Sequence, residues 1–330
     1  MKRILFIILI SCFILTGCGN YNEKNIIKSL RHSYDKSDGY KLKGELSILN
    51  NDETYNYEVN VSYKKDDFYR VSLKNTANDH VQIILKNGDG VYLLTPALNK
   101  SFRFQSDWPY NNSQIYLLDT ILSDLEKDSN RSFESSKNKY IYTTKVNYPN
   151  NKALKLQKIV LNKKLDLKKV SVYDKDNVEK MCMVFNKIDL KPKFKKDEFS
   201  IDSIISSEKN DITTETGSLS DVIYPLFLPN GTKLIDEEVV KKDNGQRYIM
   251  SYDGDKSFLL VEETTDVMNE FTVIPTSGEL FQLMDTLGVV TDNSLSWTSN
   301  GVDYYLVSEV MTRDEMVQVA ESIVGIVSMK

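Results

Sequence analysis

The sequence predicts an α+β fold: a strongly curved antiparallel sheet, half closed like a barrel and covered by helices, followed by a small α+β domain. Three observations predict it. Apolar residues recur at every second position through most of residues 40–188, the period of half-buried strands. One helical stripe, at Asn111–Lys127, interrupts that pattern. Beyond a polar stretch at Ser206–Ser220, strand and helix signals alternate in a segment of opposite charge.

The first element is a short amphipathic helix over Asn22–Tyr34, with Ile26, Ile27, Leu30 and Tyr34 at helical spacing. From Tyr40 the period becomes two. Leu42, Leu46 and Ile48 share one face, and Tyr55, Tyr57, Val59, Val61 and Tyr63 share another, with a turn at Asn50-Asn51-Asp52. The meander continues through Tyr69–Leu73, Val81–Leu85, a Gly-rich turn at Asn87–Gly90, and Val91–Leu94. The interrupting helix carries Ile115, Leu118, Leu122 and Leu125 on one stripe and is expected to cover the sheet. Strands resume at Lys139–Tyr148, Leu154–Leu161, Leu167–Tyr173 and Lys180–Ile188. In the second half, strands are expected at Arg247–Tyr252, Ser257–Glu262 and Phe271–Ile274, with a hairpin at Asn300-Gly301. Thr312 and Glu315 form a capping box that opens a final helix bearing Met316, Val319, Ala320 and Ile323.

The N-terminus has its own logic. Lys2 and Arg3 precede an apolar run, Ile4–Leu15, that is broken only by Ser11 and ends in Leu15-Thr16-Gly17-Cys18. At 1.5 Å rise per residue this run is too short to span a hydrocarbon layer of about 30 Å. It reads as a signal peptide over residues 1–17. The pattern resembles the bacterial lipobox, which implies that Cys18 carries the acyl anchor and becomes the mature N-terminus. The body would then sit within about 20 Å of the extracytoplasmic face of the cell membrane, since few residues separate Cys18 from the first helix. The expected division is residues 18–205 for the sheet domain, 206–220 for a linker and 221–330 for the small domain.

The chain has 330 residues, a net charge of −5 and 41% hydrophobic residues, which places it among globular proteins. Charge is unevenly placed: residues 220–330 hold 19 acidic and 7 basic side chains, whereas residues 152–196 hold 14 lysines and 5 acids. The lysines alternate with apolar residues, as on guarded strand faces; attraction to anionic lipid is the second reading. Of three cysteines, Cys12 belongs to the signal, Cys18 to the anchor, and Cys182 to an apolar strand. No intramolecular disulfide follows.

Catalytic chemistry finds little support. The two histidines, His32 and His80, lie outside any recognisable motif. No phosphate loop, dinucleotide fingerprint, CxxC pair or calcium-loop spacing is present. Adjacent acids at Asp66-Asp67, Glu237-Glu238 and Glu262-Glu263 point to opposite faces of a strand. No enzyme activity, metal, cofactor or nucleic-acid partner is expected.

The densest segment is Val91–Pro109. It contains a strand, a turn at Pro96, a second strand with Phe102 and Phe104 on one face, and a stop at Pro109. Continued through Asn112-Ser113-Gln114 and Tyr116-Leu117-Leu118, it resembles the germination and sporulation lipoproteins of spore-forming Firmicutes, the GerS and YdcC group. These belong to a wider superfamily of LolA-like and RseB-like folds. The resemblance implies a bent sheet around a helix-plugged apolar cavity. It also implies a scaffold for an envelope or cortex-modifying protein, with an N-acetylmuramoyl-L-alanine amidase as the candidate partner. The alternative is a lipid or lipoprotein chaperone holding an acyl ligand in the cavity, and a third reading is an envelope sensor. Candidate contact residues are Phe102, Phe104 and Trp108, with Thr95, Pro96, Asn99 and Lys100 shaping the loop. The competing reading is that these aromatics fill the groove between sheet and helix.

Overall fold

A computed structural model describes residues 22–50, 53–109, 113–149, 151–208, 219, 221–283 and 286–323. The signal segment and Cys18, most of the expected linker, and Asn111 and Asn112 lie outside the described residues.

Two sheets form the described part of the protein, antiparallel except for one parallel pair at an edge of the larger. The first half begins with helix α1 (Glu23–Asp35) and strands β1 (Gly39–Asn50), β2 (Glu53–Lys64), β3 (Phe68–Asn75), β4 (Val81–Asn87), β5 (Gly90–Thr95) and β6 (Lys100–Phe104). Helix α2 (Leu118–Lys127) follows, then β7 (Ser132–Ser135), β8 (Lys139–Lys145), β9 (Leu154–Asn162), β10 (Leu167–Asp174), β11 (Glu179–Asp189) and helix α3 (Ile201–Glu208). The second half holds β12 (Lys233–Lys242), β13 (Gly245–Asp253), β14 (Phe258–Thr264), β15 (Thr272–Thr276), β16 (Glu279–Gln282), β17 (Leu287–Val290), β18 (Ser294–Ser299), β19 (Val302–Val307) and helix α4 (Arg313–Glu321).

The larger sheet runs β15-β6-β5-β4-β3-β2-β1-β11-β10-β9-β8-β7 and the smaller β12-β13-β14-β19-β18-β17-β16. The first sheet is curved and stays open, so the half-closed barrel and the α+β class both hold. One pairing departs from the expected order. The strand expected near Phe271 in the small domain is β15, and it joins the first sheet parallel to β6, with Thr272 opposite Lys100.

Burial follows the sequence periods. In β3 every second residue is buried, since one face meets the core and the other is only half-covered, with Arg70 reaching Glu208 of α3. β4 is buried from Val81 to Leu85, apolar but for Gln82, because α3 covers its second face, placing Ile204 and Ile205 against Ile83, Leu85 and Leu94. The main core fills the opposite face beneath α1 and α2. The Arg31 guanidinium ties these helices together, reaching Asp119 at 3.1 Å and Glu126 at 2.7 Å.

The interrupting helix begins at Leu118, seven residues later than expected. Ile115 is buried all the same, in the loop ahead of it. Leu117 offers no capping side chain, and the Tyr40 hydroxyl substitutes by accepting from the Leu118 N–H at 3.3 Å. The capping box opens α4 as expected: Glu315 N–H donates to the Thr312 hydroxyl at 3.3 Å, and Thr312 N–H to the Glu315 carboxylate at 2.8 Å. Asn300 and Gly301 both take positive φ, 48° and 78°, in the tight turn between β18 and β19.

Sheet curvature has a local source at Gly44, where the β1–β11 register shifts. A Cβ there would stand 2.3 Å from the Val184 carbonyl oxygen and 2.5 Å from Met183 Cε. Gly44→Ala is therefore expected to lower stability by about 1–3 kcal/mol in urea denaturation, because the backbone contact cannot give without moving β11.

Candidate functional site

The loop candidates Thr95, Pro96, Asn99 and Lys100 lie at the seam between the two halves. Thr95 ends β5, and Pro96–Leu98 make one 3₁₀ turn that stops at Asn99, whose φ of 51° is left-handed. That turn presents backbone groups to the second half. Met268 N–H donates to the Leu98 carbonyl at 3.1 Å and Thr272 N–H to the Asn99 carbonyl at 2.8 Å. The Asn99 side-chain amide donates to the Met268 carbonyl at 2.7 Å. Lys100, 8% exposed, reaches Asp303 at 3.0 Å. Thr95, Pro96, Asn99 and Lys100 thus shape the surface on which the second half docks.

Phe104 and Trp108 are buried in the main core, at 3% and 1% exposure, and Phe102 is half-buried against it. Trp108 meets Tyr69 edge-on at 5.6 Å, ending an aromatic chain that runs back through Tyr63 and Tyr40 to Tyr34. Its carbonyl accepts from Lys86 Nζ at 2.8 Å. The structure therefore brings Phe104 and Trp108 together as interior packing.

Sequence reading missed Gln82, which is 5% exposed. Its Oε1 accepts from Leu287 N–H at 2.7 Å and from the Thr286 hydroxyl at 3.1 Å, and its amide donates to the Leu287 carbonyl at 3.4 Å. A side-chain amide so placed imitates a strand neighbour and satisfies backbone groups buried at the seam. The signal was a lone glutamine inside the apolar run Val81–Leu85.

Beside this seam lies a cavity of about 570 Å³ lined from both halves. Ile115, Tyr116, Met181 and Leu280 are among its apolar walls, and Lys152, Lys180, Asp314 and Glu321 give it a mixed-charge rim. Lys152 and Asp314 stand 3.4 Å apart. Burial pushes the Glu321 carboxyl up to about 7, with Lys180 opposing. Deeper in the first half, burial raises Asp124 to about 6 although it accepts from Ser113 and Gln157. Such a site suits a molecule with an apolar body and a polar end.

The remaining titratable candidates are dispersed. His80 is half-buried and desolvation lowers its pKa; His32 lies on α1. Among the described residues no group of three or more His, Cys, Asp and Glu side chains could hold a metal ion. Glu262 and Glu263 point to opposite faces as expected: Glu263 meets Lys242 and Arg247, whereas Glu262 is fully buried and accepts from Ile223 N–H at 2.9 Å. Burial pushes Glu262 up to about 8, with the Ile223 N–H opposing. Cys182 is half-buried and burial raises its thiol pKa, in keeping with a packing residue.

Two outcomes follow. Trp108→Ala is expected to cost about 3–5 kcal/mol in chemical denaturation, and a Trp108→Phe variant less, since the aromatic contact persists. The raised carboxyls set a pH dependence: their stabilisation is complete below the ordinary carboxyl range and is lost as pH rises through their folded values. The melting temperature is expected to fall between about pH 5 and pH 8.5. Glu262→Gln should flatten the upper part of that slope, since the folded carboxyl titrates near 8.

No family model matches the chain. Several solved structures are similar to it, among them the following three. The MucA/MucB complex of Pseudomonas aeruginosa is 12% identical, covering 90% of this chain and 98% of that one, with a TM-score of 0.33. An outer membrane lipoprotein-sorting protein domain from Vibrio parahaemolyticus is 11% identical, covering 55% and 97%, with a TM-score of 0.32. The GerS lipoprotein in complex with the CwlD amidase from Clostridioides difficile is 16% identical, covering 53% and 98%, with a TM-score of 0.24. Among curated proteins, the chain is 38% identical over 321 residues to the sporulation protein YdcC of Bacillus subtilis strain 168, covering 96% of this chain and 95% of that protein. Identity at that level along nearly the whole length means that this chain belongs to the YdcC sporulation protein family.

Proposed function

We propose that this protein is a lipoprotein of the extracytoplasmic membrane face, anchored through Cys18, that acts without catalysis as a scaffold for an envelope or cortex-modifying protein during sporulation. The observation that carries this reading is the end-to-end similarity to a sporulation protein. The lipobox at Leu15–Cys18 supports the location. Two acyl chains, at about 0.8 kcal/mol per buried methylene, would hold the body at one membrane and disfavour a shuttling role. The partner class is a peptidoglycan-modifying amidase, as the family resemblance implies. No described helix is long and apolar enough to cross a membrane.

A second reading is favoured by one observation, the 570 Å³ cavity with apolar walls and a charged rim at the seam. It would hold an acyl chain, whose polar end would meet Lys152 or Lys180.

Labelling with a palmitate analogue is expected to mark the wild-type chain and leave Cys18→Ala unmarked. Deletion of the gene should impair cortex formation or germination, and restoration should require Cys18. Normal spores from the deletion strain would overturn the scaffold reading. Native mass spectrometry of the gently extracted protein tests the second reading, for which an added mass in the acyl-lipid range is expected and an empty cavity would count against it.

A further inference from the structure

The four sheet edges are unequal. β7 and β16 have four residues each and β15 five, whereas β12 has ten. Short edges are one way in which sheets avoid pairing with other chains. Among the described residues β12 has a strand neighbour on one side only, β13. Nine of its ten residues are exposed.

Its sequence from Asp236 is Asp-Glu-Glu-Val-Val-Lys-Lys, acids first and lysines last. Two antiparallel copies of such a strand bring unlike ends together. Only alternate residues of β12 direct N–H and C=O away from β13, so two copies can meet only in registers that keep those residues opposite each other. Centred on Glu237 or Glu238, the registers set acid against acid. Centred on Val239, Glu237 of each copy lies opposite Lys241 of the other, and Asp236 opposite Lys242. Lys242 is already engaged by Glu263 at 2.9 Å and Asp266 at 3.0 Å, so Glu237 with Lys241 decides the register.

The apolar residues agree with that centre. Val239 pairs with Tyr248 of β13, which is buried, and so lies on the core-side face of the sheet. Val239 is nevertheless 50% exposed. The segment leading into β12 adds exposed Leu226 and Phe227, and its Tyr224 hydroxyl donates to Glu237 at 2.6 Å on this same face. A second copy would cover Val239 with its own Val239 and carry Lys241 beside Tyr224.

We propose that β12 is a self-pairing edge through which two copies of this chain join, strand to strand, about a two-fold axis at Val239. The smaller sheet then runs continuously through both copies. This inference stands apart from the scaffold reading, since it concerns only the second half.

Analytical ultracentrifugation of the full chain in detergent micelles tests it. The wild type is expected to be dimeric at micromolar concentration. Glu237→Lys, which sets lysine against lysine, should weaken association by roughly tenfold or more, and the double variant Glu237→Lys with Lys241→Glu should restore it. Both variants lose the Tyr224 contact, so rescue distinguishes pairing from a local structural effect. Under mild oxidation Val239→Cys should give a disulfide-linked dimer beyond the wild-type background, and Val240→Cys, on the opposite face, should not. A monomeric wild type at high concentration, an unaffected single reversal, or a double variant that fails to recover would each overturn the proposal.

Discussion

Everything distinctive about this protein depends on one constraint: a strand from the second half completes the first sheet. β15 lies parallel to β6, and the turn that delivers β6 also accepts backbone hydrogen bonds from Met268 and Thr272. Lys100 and Asp303 pair across the same junction, and Gln82 hydrogen-bonds to Thr286 and Leu287 beside it. None of these contacts is large alone. Together they satisfy polar groups buried at the seam, where a desolvated donor or acceptor without its partner costs about 1–3 kcal/mol, so the seam closes only in the arrangement that pairs them. The two halves therefore behave as one body with a shared seam, and the cavity is a property of that seam.

Much of the first sheet was legible from alternation alone. β1 to β3 and β8 to β11 lie where the period of two places them, because each has one face on the core, whereas β4 and β5 lie where short apolar runs place them, with both faces covered. The elements that escaped share a physical reason. β12 is exposed on both faces, so it has no alternation to detect, and β16 and β17 are four residues each. The late start of α2 at Leu118 arises because residues such as Ile115 are buried in a loop, where apolar spacing imitates a helix. β15 had a readable strand pattern, but its neighbour was set by a docking event that no local pattern records.

The candidate residues show the same division. An aromatic-rich segment between strands suggested a surface for a partner, and the reading that these side chains fill a groove was the competing one. Trp108 closes an aromatic chain in the interior, and Asn99 and Lys100 face the second half of the same molecule. Density of aromatics signals an interface without telling whether the other side belongs to the same chain. Gln82 carried the opposite kind of signal, a polar residue out of place in an apolar run. Its meaning emerges only once Thr286 and Leu287 are seen beside it.

The distance in sequence across the seam also has a consequence in time. Gln82 and Leu287 are 205 residues apart, and Lys100 and Asp303 are 203. At roughly 5–20 residues per second of synthesis, β6 waits about 10–30 s before β15 can exist. Throughout that interval the nascent first half carries an open strand edge, with buried-type side chains beside it. Its vulnerable moment is therefore the one before β15 arrives, and a factor that shields this chain would act on the edge of β6.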